Sequence, residues 1–175
     1  RGHGQLAEFR HQLDRGDALD NASRKAAAAE IDQFKREYVA RFPGRSADDI
    51  SDEDILRDLI HSFYENVRRD AVLGPIFATH IADWGPHLER MVAFWSSVAL
   101  MTGSYHGRPV QAHAQLLVAP AHFERWLDLF RSTARMTCTP AGAAHVIERA
   151  ERIAGSLRMA VAAAQACPDA FPNLR

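Results

Sequence analysis

The sequence has little cysteine and no excess of charge of either sign. Its two cysteines, Cys138 and Cys167, form no CxxC pair and no zinc-type spacing. Lys and Arg number 21 against 22 Asp and Glu, so the chain lacks the positive field that draws a protein onto nucleic acid or an anionic bilayer. We therefore expect neither nucleic acid nor a membrane as a partner.

Long apolar runs are also missing. No uninterrupted stretch approaches the roughly 20 apolar residues that span a bilayer, and the first residues lack the charged-then-apolar pattern of an export signal. The expected location is the cytoplasm. The chain has 175 residues with 47% hydrophobic and 25% charged side chains, which favours one soluble folded domain.

Strand patterns are absent, and the dominant apolar spacing is helical, which predicts an all-α fold. Ser23 is a candidate N-cap for a first helix through Arg41, with an apolar stripe of Ile31, Phe34, Tyr38 and Phe42. Ser51 with Asp54 forms a capping-box pattern that predicts the start of a second helix.

Proline and glycine predict the remaining boundaries. Helices are expected from near Asp83 to Leu100, from Pro120 to Met136 and from about residue 142 to 166. The segment 103–120 is expected to be mostly loop, with one short helix around 110–117. Loops of this length in a small helical domain are often functional.

Nine histidines raise the question of metal binding. They follow no HExxH spacing, which disfavours a zinc centre, whereas a haem asks the protein for only one axial imidazole in an apolar pocket. With no CxxCH motif, such a haem would be held without covalent attachment. The segment 103–120 contains two axial candidates, His106 and His113.

Six short motifs occur in one order along residues 52–166. They are FYENVR around Tyr64, LGPIF at 73–77, WGPH at 84–87, FW at 94–95, MTGSYHGRP at 101–109 followed by His113, and HFERWLDLF at 122–130. Together they resemble the group III truncated haemoglobins. The resemblance implies the 2-on-2 globin fold, with one or more extra helices at the N-terminus, and haem b as cofactor.

The resemblance also implies residue roles. His113 would bind the iron on the proximal side. Tyr64, Trp126 and His87 would lie on the distal side, where a phenol and an indole can donate hydrogen bonds to a partly negative ligand. The expected haem contacts are Phe77, Met91, Trp95 and Phe123. Arg68, Arg108 and Arg125 stay open as partners of the haem propionates.

The implied function is binding of oxygen or another diatomic ligand. Nitric-oxide dioxygenase or peroxidase-type turnover is a further expectation, and it needs a separate reductase because the chain has no flavin or nicotinamide fingerprint. The alternatives are a haem-based sensor and a haem-free helical interaction domain. Loss of His113 would mark the latter, and His113 is present.

Residues 1–50 precede the resemblance. We interpret them as an N-terminal extension, 51–167 as the haem domain and 168–175 as a tail. Nine basic and nine acidic residues in the extension give it no net charge. Its apolar stripe needs a partner. Packing on the globin is favoured, and a homodimer through the extension is the alternative.

Overall fold

Helices make up all the regular structure of the described residues. A computed structural model describes residues 21–47, 50–114 and 116–166. Its helices are α1 (Asn21–Arg41), α2 (Asp52–Arg69), α3 (Leu73–His80), α4 (Trp84–Ala99), α5 (Pro109–Ala114), α6 (Pro120–Thr137) and α7 (Pro140–Ala166). The predicted all-α fold is confirmed. The predicted tail 168–175 and the first 20 residues of the extension lie outside the described residues.

Helices α2, α4, α6 and α7 form the body of the molecule. Helix α2 contacts α4 and α6, and α7 packs along α6 and also touches α4. The buried core is made of side chains such as Leu59, Phe63, Phe130 and Val146, each fully shielded from solvent. On each helix the buried apolar residues recur at helical spacing and form a stripe, and the helices pack so that these stripes face one another.

The start of α2 follows its sequence signal. Ser51 Oγ accepts the backbone amide of Asp54 at 3.1 Å, and the Ser51 amide donates to the Asp54 carboxylate at 3.2 Å. Two otherwise unpartnered helix amides are thereby satisfied. The predicted capping box is confirmed.

Helix α1 packs on the rest of the chain through its C-terminal half. Tyr38 is buried, its hydroxyl donates to Asp58 on α2, and the rings of Phe34 and Phe42 pack against it. Arg45, just after the helix, pairs with Asp54 and Asp58 at 2.6 and 3.0 Å. Tyr38, Phe34 and Phe42 of the stripe therefore pack within this chain, whereas Ile31 is half-buried and lies outside the core cluster. The predicted Ser23 cap is wrong, because Ser23 lies inside α1.

The segment between α4 and α6 turns sharply. Met101 and Gly103 have positive φ angles of 58° and 67°, a region that a non-glycine residue rarely adopts. The Tyr105 amide then donates to Ser97 Oγ at 2.8 Å. The short predicted helix exists, although α5 covers 109–114 rather than 110–117.

The end of α4 is fastened to α7. His145 Nε2 donates to the Ala99 carbonyl at 3.0 Å, and Arg149 Nε donates to the Val98 carbonyl at 2.9 Å. These bonds satisfy two carbonyls that the helix end leaves without intrahelical partners.

Among the helices described, none is both long and apolar enough to cross a membrane.

Candidate functional site

A cavity of about 460 Å³ is lined by residues of helices α2 to α7, and its size is typical of small-molecule and cofactor sites. Its wall is predominantly apolar and includes Ile153 and Leu157 of α7. All eight site residues predicted from the sequence line it: Tyr64 from α2, Phe77 from α3, His87, Met91 and Trp95 from α4, His113 from α5, and Phe123 and Trp126 from α6. The fold thus gathers side chains from five helices.

His113 is oriented by a hydrogen bond to its own helix. Its Nδ1 lies 2.7 Å from the carbonyl oxygen of Pro109. A carbonyl can only accept, so Nδ1 carries the proton and donates it, which leaves the Nε2 lone pair free. Metal-binding histidines commonly have this arrangement, with one ring nitrogen donating to a carbonyl and the other available to the metal.

His87 faces the same cavity with an unsatisfied nitrogen. Its Nε2 is buried and has no hydrogen-bond partner among the described residues. Burial, together with the nearby Arg90 and His113, lowers the pKa of His87, so the ring is neutral at pH 7. A buried polar atom without a partner is costly and indicates a missing ligand or group beside it.

Tyr64 and Trp126 add two donors to the wall. Burial raises the pKa of Tyr64, so the phenol keeps its proton at any physiological pH. No described residue forms a hydrogen bond with the Tyr64 hydroxyl or the Trp126 indole N–H. The Tyr64 ring meets His87 edge-on at 5.4 Å and Phe77 at 6.1 Å.

Stacked aromatic rings hold Trp126 in place. Phe130 lies between Trp126 and Trp95, with ring centroids 5.4 Å and 4.7 Å away and planes inclined by 11° and 20°. Phe63 meets Trp126 edge-on at 5.1 Å. Trp95 and Phe130 are buried and Trp126 is half-buried, so the stacking restricts the ring orientation of both tryptophans.

Of the remaining histidines, His122 also reaches the cavity. Its Nδ1 accepts the backbone amide of Ala119 at 3.0 Å, so its proton sits on Nε2 and no lone pair is free. The sequence analysis assigns His122 no role in the site, although it stands in the motif at 122–130. His106, the rival axial candidate, is exposed and is not part of the cavity wall.

The cation on the cavity wall is Arg90, which sequence reasoning also missed. It lies one helical turn after His87, and that spacing is the signal that could have found it. Of the three arginines left open earlier, Arg68 lies over the Trp84 ring at 5.0 Å, Arg125 pairs with Asp70, and Arg108 is exposed. None of these three lines the cavity.

The cavity-wall residues suit a flat apolar cofactor that needs one axial ligand from the protein and carries acidic groups at its edge. Within the described ranges, no cluster of three or more His, Cys, Asp or Glu side chains could hold a metal ion. A group that brings its own equatorial nitrogens needs only the His113 imidazole. The unsatisfied His87 Nε2 and the side chains of Tyr64 and Trp126 belong to the same wall.

The comparisons with known proteins give one family. The chain is 34% identical over 110 residues to the group 3 truncated hemoglobin of Campylobacter jejuni, and the match covers 60% of this chain and 86% of that protein. The crystal structure of a group III truncated hemoglobin from Campylobacter jejuni is similar at a TM-score of 0.60 and 30% identity, covering 65% of this chain and 93% of that one. No family model matches the chain.

Proposed function

This chain belongs to the group III truncated haemoglobins, and from that membership we propose that it binds haem b in the 460 Å³ cavity and reversibly holds oxygen or another diatomic ligand there. The predicted family and the predicted truncated globin fold are both confirmed. When bound, a haem supplies an iron with one coordination position open to the ligand. The haem domain is residues 51–167, with 1–50 as an extension.

The observation that carries the proposal is the hydrogen bond from His113 Nδ1 to the Pro109 carbonyl. Of the three histidines on the cavity wall, His113 is the one whose partner fixes the proton on Nδ1 and presents Nε2 as a donor to a metal. His122 has the opposite tautomer, since its Nδ1 accepts an amide. We therefore assign His113 as the axial ligand.

Phe77, Met91, Trp95 and Phe123 would enclose the porphyrin in apolar surface. Excluding water strengthens each hydrogen bond inside the cavity, because the local dielectric constant is low. Arg90 would pair with a propionate, since it lines the wall and the other three arginines considered do not. All of the residues given these roles line the cavity wall.

Tyr64 and Trp126 would stabilise the ligand by donating hydrogen bonds to its partly negative end. A hydrogen bond to a charged group contributes about 1.5 to 3 kcal/mol, so two such donors slow ligand release by orders of magnitude. His87, neutral and unpartnered, is a third group at the same end. Slow release suits sensing or chemistry on the ligand better than transport.

The test is haem binding by the purified chain and by two variants. We expect a Soret band on adding haem, its loss or strong weakening in His113→Gly, and its recovery when free imidazole is supplied to that variant. His106→Ala is the matched control on the same loop and should leave the spectrum unchanged. A chain that stays colourless, or His113→Gly with an unchanged five-coordinate ferrous spectrum, would contradict the proposal.

A further inference from the structure

Asp70 occupies the corner where three helices of the cavity meet. It is the C-cap of α2, it lies three residues before the start of α3, and it pairs with Arg125 on α6. Each of these helices contributes to the cavity wall, with Tyr64, Phe77 and Trp126 among the side chains that line it. An interaction that fixes this corner therefore affects the positions of all three side chains.

The Asp70 carboxylate is saturated with donors. Its Oδ1 accepts the backbone amides of Val72 and Leu73 at 3.0 and 2.9 Å, and Arg125 Nε lies 2.7 and 2.8 Å from the two oxygens. Only 7% of the Asp70 side chain is exposed. The hydrogen bond from Arg125, followed by those from the two amides, holds the pKa of this carboxyl well below its usual range, so it is charged at neutral pH.

At the same corner, the backbone of α3 lies close to the backbone of α2. A Cβ on Gly74 would lie 2.7 Å from the carbonyl oxygen of Arg68, so only glycine lets α3 approach the last turn of α2 this tightly. The Gly74 amide also donates to the Asp70 carbonyl at 2.9 Å. The angle between α2 and α3 is thus set by local contacts around Asp70.

Helix α6 is joined to α2 by side-chain hydrogen bonds at two places. One is the pair of Arg125 and Asp70, beside Trp126 in the chain, and the other is Asn66 Nδ2 donating to Thr133 Oγ1 at 3.1 Å, about two turns further along α6. Because Trp126 follows Arg125 in the chain, a shift of α6 at the first joint would move its indole relative to Tyr64.

We propose that Asp70 and Arg125 are a positioning pair, which sets the spacing of the Tyr64 hydroxyl and the Trp126 N–H around the bound ligand. The pair touches neither haem nor ligand and acts through the two donors. The inference rests on the proposed function, since it takes Tyr64 and Trp126 as ligand donors.

The test compares oxygen release in two backgrounds of the full haem-loaded chain. Asp70→Asn and Arg125→Gln should each raise the oxygen dissociation rate roughly tenfold when Tyr64 and Trp126 are present, as neighbouring coupled residues do. In the Tyr64→Phe, Trp126→Phe background the same changes should alter the rate less than about twofold, because the coupling partners are gone.

The control is Glu65→Gln, which removes a carboxylate that pairs with Arg69 within α2 alone. It should leave oxygen release unchanged. An equal effect of Asp70→Asn in both backgrounds, or an effect no larger than that of Glu65→Gln, would overturn the proposal. Arg125 is half-exposed, so Arg125→Gln keeps the test valid if Asp70→Asn fails to fold.

A second readout needs no haem. In the chain without haem, the nuclear Overhauser contact between the Phe63 and Trp126 rings, 5.1 Å apart, should weaken in both corner variants, while the contact of Trp95 with Phe130 persists. An unchanged Phe63 to Trp126 contact would reject the positioning role. If the unmodified chain takes up no haem, the proposed function fails and this readout still decides the role of the corner.

Discussion

The protonation state of each polar group on the cavity wall follows from its immediate surroundings. The Pro109 carbonyl fixes the proton of His113 on Nδ1, and burial keeps His87 neutral and Tyr64 protonated. The wall therefore offers one lone pair on the α5 side and hydrogen-bond donors on the α2 and α6 side. This polarity suits an iron between them whose ligand carries partial negative charge.

Removing the Tyr64 hydroxyl tests its role as a donor. We expect Tyr64→Phe to speed oxygen release at least roughly tenfold, because a hydrogen bond to a charged acceptor contributes about 1.5 to 3 kcal/mol. Stopped-flow displacement of oxygen by carbon monoxide measures the rate. Tyr38→Phe, a change at a buried tyrosine outside the cavity, is the control and should leave the rate unchanged. Equal rates in wild type and Tyr64→Phe would exclude the donor role.

Cys138 is expected to be chemically inert in the folded chain. It is buried, and burial raises the pKa of its thiol to about 12, so at pH 8 almost none is present as the reactive thiolate. In a Cys167→Ser background, a thiol reagent at pH 8 should label Cys138 slowly in buffer and fully in urea. Rapid labelling of the native chain would show that this end of α6 opens readily.

Single residues of the site differ in how far the sequence alone reveals them. The eight predicted wall residues stand within or beside recognisable motifs, which a sequence comparison can read. Arg90 lies one helical turn after His87 and His122 opens the motif at 122–130, but neither signal says which way the side chain points. Their positions on the wall depend on the rotation of α4 and α6 about their axes, which packing decides.

Helix ends were predictable where a local signal governs them. Ser51 with Asp54 caps α2, Asp83 accepts the Gly85 amide at the start of α4, and Pro120 begins α6. Ser23 was a misleading cap signal, because the helix already includes Asn21 and Ala22 ahead of it, beside an alanine-rich stretch that favours helix. Local chemistry fixes a boundary only where it outweighs the helix propensity on either side.

The attachment of α1 depends on one phenol. Tyr38→Phe removes the hydroxyl that donates to Asp58, and we expect it to lower the free energy of unfolding by about 1.5 to 3 kcal/mol, the value of one hydrogen bond to a charged group. Denaturation in urea measures this loss. Trypsin should also cut faster at Lys35, Arg36 and Arg41, while the haem spectrum stays the same.

A matched change on the exposed side of the same helix gives the comparison. Glu37→Gln alters a surface carboxylate beside Tyr38 and should change neither stability nor the rate of cleavage. If Tyr38→Phe is as stable as wild type, the Asp58 carboxylate gains enough from Arg45 alone, and the phenol adds nothing.

At the scale of the whole molecule, the resemblance predicted the fold, but the polar joints between helices were outside its reach. The pairing of Asp70 with Arg125 spans 55 residues, and that of Arg45 with Asp54 and Asp58 spans 9 and 13. Charged residues are frequent in this chain, so no spacing rule selects these partners. These ion pairs can be predicted only after the packing of the apolar stripes has fixed how the helices cross.

The extension and the haem domain can be separated by deletion. The cavity wall uses no described residue before Tyr64, so a chain that begins at Ile50 should bind haem with the same ferrous spectrum. Its Tm should fall by roughly 10 °C, because deleting a buried aromatic ring such as Tyr38 costs about 3 kcal/mol and each kcal/mol lowers Tm by about 3 °C. Absorption and thermal unfolding of both chains measure the two effects. A shortened chain that still unfolds cooperatively yet takes up no haem would place the extension within the haem site and overturn the boundary at residue 51.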